Sequence, residues 1–232
     1  MLGAPARGRD PARGTLSPLL SNLLLDDLDR ELERRGHRFV RYADDCNVYV
    51  RSERAGQRVM RSITNFITQK LKLKVNETKS AVARPKQRKF LGFSFSDGPE
   101  VLRIIAPKAL ERFKQRVREI TQRAKGVSLE AELASYMRGW RGYFGFCETP
   151  RVLQYLIRWV RLRLRAALWR QSQTPRRRRA VLMALGVSPR LAANTAGSGK
   201  GAWRLARSKA LFIGLSNAHF RSLGLPSLVE ER

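Results

Sequence analysis

The stretch Arg38-Phe39-Val40-Arg41-Tyr42-Ala43-Asp44-Asp45-Cys46-Asn47-Val48-Tyr49-Val50-Arg51 decides how the chain is read. Its β-branched and aromatic residues predict two short strands, with the acids at the bend between them. The chain has 47 Lys and Arg against 19 Asp and Glu, so two adjacent carboxylates make a local negative well in a protein of net charge +28. A hairpin tip is exposed and rigidly mounted, which suits a hard cation held by oxygen ligands. Asp is also a common turn residue. A solvated turn and a metal site therefore both stand at this point, and the flanking sequence must separate them.

With 232 residues, 43% of them hydrophobic, the chain has room for one large domain or two small ones with real cores, and composition excludes general disorder. The excess of base points to a polyanion, nucleic acid first and an anionic membrane second. No apolar run reaches the roughly 18 to 20 residues of a spanning helix, and the first 14 residues lack the apolar core of a secretory signal. The expectation is a cytoplasmic protein with no membrane partner. Cys46 and Cys147 have no zinc-ligand spacing and indicate no disulfide framework. His37 and His219 stand alone and read as structural.

Working outward, Ser17-Pro18 opens a helix in which Leu20, Leu23, Leu24, Leu28 and Leu32 share one face and Gly36 is the stop. Asp26, Asp27 and Asp29 fall on its outer side and read as solvated. Residues 1–14, rich in Ala, Pro, Gly and Arg, read as a disordered or displaced segment. After the hairpin, a helix over residues 53–71 gathers Val59, Met60, Ile63, Phe66, Ile67 and Leu71. Asn76-Glu77-Thr78-Lys79-Ser80 and a short apolar run at 81–83 follow. Phe90-Leu91-Gly92-Phe93-Ser94-Phe95 alternates like a strand, Asp97-Gly98 turns, and 101–105 returns. Helix, hairpin, helix, hairpin predicts an α+β module with helices packed on a small antiparallel sheet.

From residue 107 the pattern is helical throughout. Leu110, Phe113, Val117 and Ile120 have helical spacing, and Ser128-Leu129-Glu130-Ala131 reads as a helix cap followed by Leu133, Tyr136 and Met137. Gly139-Trp140-Arg141-Gly142-Tyr143-Phe144 is an aromatic-glycine junction. The helix of residues 151–171 carries Leu153, Leu156, Ile157, Val160, Leu164, Ala167 and Leu168 on one face. Arg151, Arg158, Arg161 and Arg165 flank that face as a stripe, with Tyr155, Trp159 and Trp169 beside it, and Arg176, Arg177, Arg178 and Arg179 follow. Residues 149–229 contain no Asp or Glu. Solvated surfaces normally mix signs, so this stretch builds a one-signed field suited to counterion release on a phosphate backbone. The aromatics either stack on unpaired bases or form a second buried face.

Four blocks now stand in one order: Leu16-Ser17-Pro18-Leu19-Leu20-Ser21-Asn22, Arg41-Tyr42-Ala43-Asp44-Asp45, Asn76-Glu77-Thr78-Lys79 and Phe90-Leu91-Gly92-Phe93. The series resembles the palm of reverse transcriptases encoded by group II introns. Residues 108–146, with Arg138-Gly139-Trp140 and Tyr143-Phe144, resemble the maturase domain, or thumb, that follows that palm. The resemblance implies an α+β fold: a partial palm over residues 15–106 and an all-helical maturase domain over 107–232, preceded by the segment 1–14.

It also implies a chemistry. Nucleotidyl transfer uses two Mg²⁺ ions about 4 Å apart, one activating the primer hydroxyl and one holding the triphosphate. By resemblance Asp44 bridges the metals, Asp45 assists, and Tyr42 packs beneath the primer terminus. Lys79 meets nucleotide phosphates or is structural, and Gly92 admits the primer backbone or relaxes a strand bulge. Partners are intron RNA, an RNA template with its DNA primer, and deoxynucleoside triphosphates. The family's fingers, and the block supplying a third metal-binding Asp, would precede Thr15, where Asp10 stands too close to serve. Pro11-Ala12-Arg13-Gly14 occupies the place of the family's Pro-Gln-Gly-Gly run. The expectation is a truncated or degenerate copy. It is an RNA-directed DNA polymerase and splicing cofactor (alone or with a separately encoded N-terminal half), an RNA-binding maturase that does not polymerise, or an inactive fragment. No His or Cys cluster at the C-terminus suggests a DNA endonuclease domain.

Overall fold

A computed structural model describes residues 17–97, 99–122 and 128–229. The expectations for residues 1–14 and for Gly98 lie outside these. Contacts divide the chain between Phe90 and Leu91, and each unit is described by itself. No helix among the described residues is long and apolar enough to cross a membrane.

The first unit opens with helix α1, Ser17–Arg34. It ends as its sequence predicts. Gly36 sits at φ +68°, its N–H donates to the Glu33 carbonyl (2.8 Å), and the His37 N–H reaches back to Leu32 (3.0 Å). This is the paired closure that a left-handed glycine allows. Strands β1 (Arg38–Tyr42) and β2 (Asp45–Tyr49) form an antiparallel hairpin. The leucine face of α1 is only partly covered. Leu28 and Leu32 are buried, whereas Leu20, Leu23 and Leu24 are exposed. The cause is length: an 18-residue helix runs about 27 Å, and a five-residue strand about 17 Å. The hairpin cannot span the helix.

Helix α2 (Glu53–Asn65) is capped by Ser52, whose hydroxyl accepts from the Ala55 N–H. The single helix expected over 53–71 changes period at Phe66–Lys70, a π-turn in which the Leu71 N–H reaches the Phe66 carbonyl. The Thr68 hydroxyl donates to the Thr64 and Asn65 carbonyls (2.8 and 3.3 Å) and competes with the backbone there. Residues 81–83 form no strand. Val82 instead packs on buried Gly56 in the first turn of α2, where an added Cβ would lie 2.5 Å from a Val82 methyl.

The second unit begins with hairpin β3 (Phe93–Phe95) and β4 (Arg103–Ile105), with Phe93 opposite Ile105. The two hairpins are separate two-stranded sheets, not the one sheet expected. Leu91 and Gly92 both have positive φ (+51° and +79°), which stops β3 from extending back to Phe90. Gly92 is also tightly fitted, since an added Cβ would sit 3.0 Å from Phe144 Cζ. Gly92→Ala is therefore expected to destabilise the second unit by about 1–3 kcal/mol, from left-handed backbone strain and overpacking. Thermal unfolding checks this; an unchanged midpoint would mean that the backbone relaxes freely at this point.

Beyond β4 the regular elements of the described residues are all helices: α3 (Pro107–Gln122), α4 (Leu129–Phe144), α5 (Pro150–Gln171), α6 (Pro175–Ala184), α7 (Pro189–Ala196), α8 (Ala202–Leu205), α9 (Lys209–Gly214) and α10 (Asn217–Ser222). Ser128 caps α4 as expected, accepting from the Ala131 N–H while donating to Glu130 (2.8 Å). Pro at the first turn starts α5, α6 and α7, where its missing N–H is no loss. Phe113, Val117, Leu133, Met137, Val160 and Leu164 form a continuous core from α3, α4 and α5. Trp140 packs at a tilt within it, 4.5 Å from Phe113 and 4.7 Å from Phe144, centroid to centroid. The hairpin β3–β4 belongs by contact with these helices, although the sequence reading placed it ahead of the boundary at 106.

Candidate active site and nucleic-acid interface

Tyr42 pairs with Asp45 at the end of the first hairpin, leaving Ala43-Asp44 as a two-residue loop. Ala43 has φ +53°. A positive φ at the first loop position is the signature of a turn that ordinarily places glycine there; alanine holds it only under strain. Asp44, Asp45 and Tyr42 are all exposed. On the opposite face Phe39, Arg41, Cys46 and Val48 are half-buried.

Arg41 is the charged member of that inner face, and all three of its guanidinium nitrogens donate hydrogen bonds. Nε donates to both Asp29 oxygens (2.8 and 2.9 Å), Nη2 donates to Asp29 (2.6 Å), and Nη1 donates to Asn22 Oδ1 and the Ala43 carbonyl (2.9 Å each). Asp29 is thus not the solvated acid expected from its helical position; it ties α1 to the turn. The Asp29 hydrogen bonds raise the Arg41 pKa further above its ordinary value. Burial pushes the Cys46 thiol up to about 11, with the Asp29 charge adding to the effect. Asp26 pairs with Arg30. Sequence reasoning missed Arg41, yet the signal was present: it alternates with Phe39 on the inward side of β1, and an inward charge requires a partner.

Lys79 is exposed in the same unit, at a turn organised by Asn76, whose Oδ1 accepts from the Thr78 hydroxyl (2.8 Å) and the Lys79 N–H (3.2 Å). Gly92 belongs to the other unit, where its positive φ and Phe144 contact already account for it. Among the described residues no group of three or more His, Cys, Asp or Glu is arranged to hold a metal.

The eight arginines expected to meet RNA do not share one environment. Arg151, Arg158, Arg176, Arg177 and Arg179 are exposed; Arg161 and Arg178 are half-buried. Arg178 lies 4.9 Å over Trp169 and donates to the Ser172 carbonyl (2.7 Å). Arg165 is only 2% exposed and donates to the Leu215 carbonyl (2.9 Å) beneath the Phe212 ring. It is not part of a surface stripe, because the helices after α6 cover its side of α5. The aromatics divide as well: Trp169 is core, Tyr155 is exposed, and Trp159 lies between. Lys114 sits over Tyr155 (5.5 Å) and Arg118 over Trp159 (5.7 Å), pairing α3 with α5 in a basic-aromatic ladder that spacing along one helix could not reveal.

Comparison with curated proteins returns no match. Comparison with family models returns two. Residues 13–95 match the reverse transcriptase (RNA-dependent DNA polymerase) family, and this segment holds the hairpin with Asp44 and Asp45. Residues 110–186 match the group II intron maturase-specific domain, which takes in the aromatic-glycine junction and the arginine-rich helices. Two domains that meet in this order within one kind of protein account for the acidic hairpin and the basic helices together, and the chain belongs to the family of group II intron reverse transcriptase/maturases.

Proposed function

We propose that the two family activities divide between the two units: the first presents Asp44 and Asp45 for RNA-directed DNA synthesis, and the second binds structured intron RNA as a splicing cofactor. The observation that carries the first half is the hairpin itself, with adjacent exposed carboxylates, one in the two-residue loop and one opening β2, on a tethered strand pair. Reverse transcriptases use divalent metal ions, and Mg²⁺ is the ion proposed here. The donor set fits in kind, since Mg²⁺ takes hard oxygen ligands and keeps several waters. Bound there, it would activate the attacking hydroxyl and neutralise phosphate charge. Asp44, held by the loop, and Asp45, fixed by its pairing with Tyr42, are the groups that would hold it. Tyr42 offers an exposed ring to the primer end, and Lys79 a flexible cation to nucleotide phosphates. Primer extension on an RNA template, with Asp44→Ala and Asp45→Ala variants alongside, tests this half.

For RNA binding the relevant groups are Arg151, Arg158, Arg176, Arg177 and Arg179, with Arg161 and Arg178 at their margin. Affinity for folded intron RNA should fall steeply with salt, and each exposed arginine changed to Ala should flatten the log–log slope by about 1. A slope near zero in the unaltered chain would remove this half of the proposal. The second reading, an RNA-binding maturase that does not polymerise, is favoured by one observation: within the described residues no further carboxylate joins the pair. Steep salt dependence without primer extension is its signature.

A further inference from the structure

The geometry assigns Arg41 a positioning duty toward the acidic pair: with Asn22 and Asp29 it holds the strained Ala43 turn, and so sets the direction in which Asp44 and Asp45 project. The inference rests on the proposal that this pair binds a divalent metal, and it identifies what aims the ligands.

Three observations converge. First, Ala43 occupies a left-handed conformation (φ +53°) with no glycine to make it easy; such a residue persists only where its surroundings over-determine it. Second, the Ala43 carbonyl belongs to the peptide plane that carries the Asp44 nitrogen, and Arg41 Nη1 fixes that carbonyl at 2.9 Å. Third, the same guanidinium is anchored to the helix, with three contacts to Asp29 from Nε and Nη2 and one to Asn22 from Nη1. Asn22 and Asp29 are two helical turns apart on one side of α1. The Arg41 and Asp29 side chains are 13% and 23% exposed, so water competes little for the pair. Because Asp29 neutralises Arg41, the guanidinium does not act as counterion to Asp44 and Asp45, and their charge remains for a cation. Only a planar fork can serve helix, side-chain amide and turn at once, so lysine is no substitute.

The test uses the full chain with two readouts. Amide hydrogen exchange over residues 42–46 reports the turn directly. Terbium luminescence, with Tb³⁺ as the metal probe and Tyr42 as its sensitiser, reports the ligands. Arg41→Gln should accelerate exchange at the turn by about tenfold and raise the Tb³⁺ half-saturation concentration by about tenfold, the scale for losing a residue that orients metal ligands. Arg41→Lys should not restore either. Ala43→Gly placed in the Arg41→Gln background should recover much of the Tb³⁺ affinity, because glycine adopts the turn without help.

Wild-type exchange at the turn in a folded Arg41→Gln chain overturns the inference. So does uniform acceleration across the unit with no recovery from Ala43→Gly, which would make Arg41 mere glue between helix and hairpin. Should Arg41→Gln fail to fold, Asn22→Ala removes one exposed arm of the network; faster turn exchange there supports the inference, and unchanged exchange overturns it. If the Asp44→Ala, Asp45→Ala double variant keeps the wild-type Tb³⁺ signal, the metal proposal falls, while the exchange measurement still decides the role of Arg41.

Discussion

Asp44→Ala is expected to reduce primer extension on an RNA template by more than about a thousandfold, with folding unchanged. A lost carboxylate ligand removes several kcal/mol of transition-state stabilisation, and each 1.36 kcal/mol is a factor of ten in rate. The stability expectation comes from position. Asp44 is exposed in a two-residue loop, and surface substitutions away from packed or capped positions usually stay within about 0.5 kcal/mol. Asp45→Ala should cost less, because Asp45 begins β2 beside Tyr42 and, in the proposed site, would play the lesser part in holding the ion. Asp44→Asn separates charge from shape: it keeps the side-chain volume and should lose nearly as much rate as Asp44→Ala. Equal incorporation by the unaltered chain and the double variant would assign the measured synthesis to some other polymerase in the preparation.

The contrast between Asp44 and Asp29 marks how far the sequence could be read. The hairpin was legible because strand propensity, the two-residue bend and the acids all point the same way. Helix α1 was legible for the same reason, down to its glycine stop. Asp29 was not: helical periodicity gives the angular position of a residue but says nothing of what packs on that side. Its position on the helix predicts a solvated acid, whereas the hairpin turns back and lays Arg41 on it. Leu20, Leu23 and Leu24 show the converse, since their spacing promised burial and the short hairpin leaves them exposed. The late start of β3 depends on backbone torsions at Leu91 and Gly92, and only the glycine gave any sign. Within the candidate site, the exposed acids on a hairpin were readable from residue type and spacing, while the Arg41, Asp29 and Asn22 network beside them depends on tertiary contacts.

Arg165→Ala should destabilise the second unit by about 3 kcal/mol, roughly a hundredfold in its folding equilibrium, and leave RNA binding by the folded chain unchanged. Arg158, Arg161 and Arg165 recur at three- and four-residue intervals and look like one stripe, but Arg165 is buried against α9 and α10. Its guanidinium lies 4.1 Å from the Phe212 ring centroid and 5.3 Å from that of Phe220, and its Nε donates to the Leu215 carbonyl just past α9. Truncation leaves that carbonyl short of its donor, about 1–3 kcal/mol, and removes cation–π contacts of about 1–2 kcal/mol. It also opens a cavity where the aliphatic stem packed. Relief of the desolvation penalty offsets part of this. Burial pushes the Arg165 pKa down to about 10, with the nearby Arg161 charge adding to the shift. A base whose pKa is lower when folded carries its full penalty below pH 10, and stability gained from its deprotonation comes only above that, up to its higher unfolded value. At neutral pH the cation is intact, so the loss in Arg165→Ala is one of packing and pairing with no pH slope. Arg158→Ala is the matched control, since its exposed side chain should leave the unfolding midpoint in place and flatten the salt dependence of RNA affinity by about 1. Denaturant unfolding and salt-dependent binding on the two variants should therefore give opposite patterns. A flattened salt slope in Arg165→Ala, or an unfolding curve matching that of Arg158→Ala, would put Arg165 back on the RNA-facing surface.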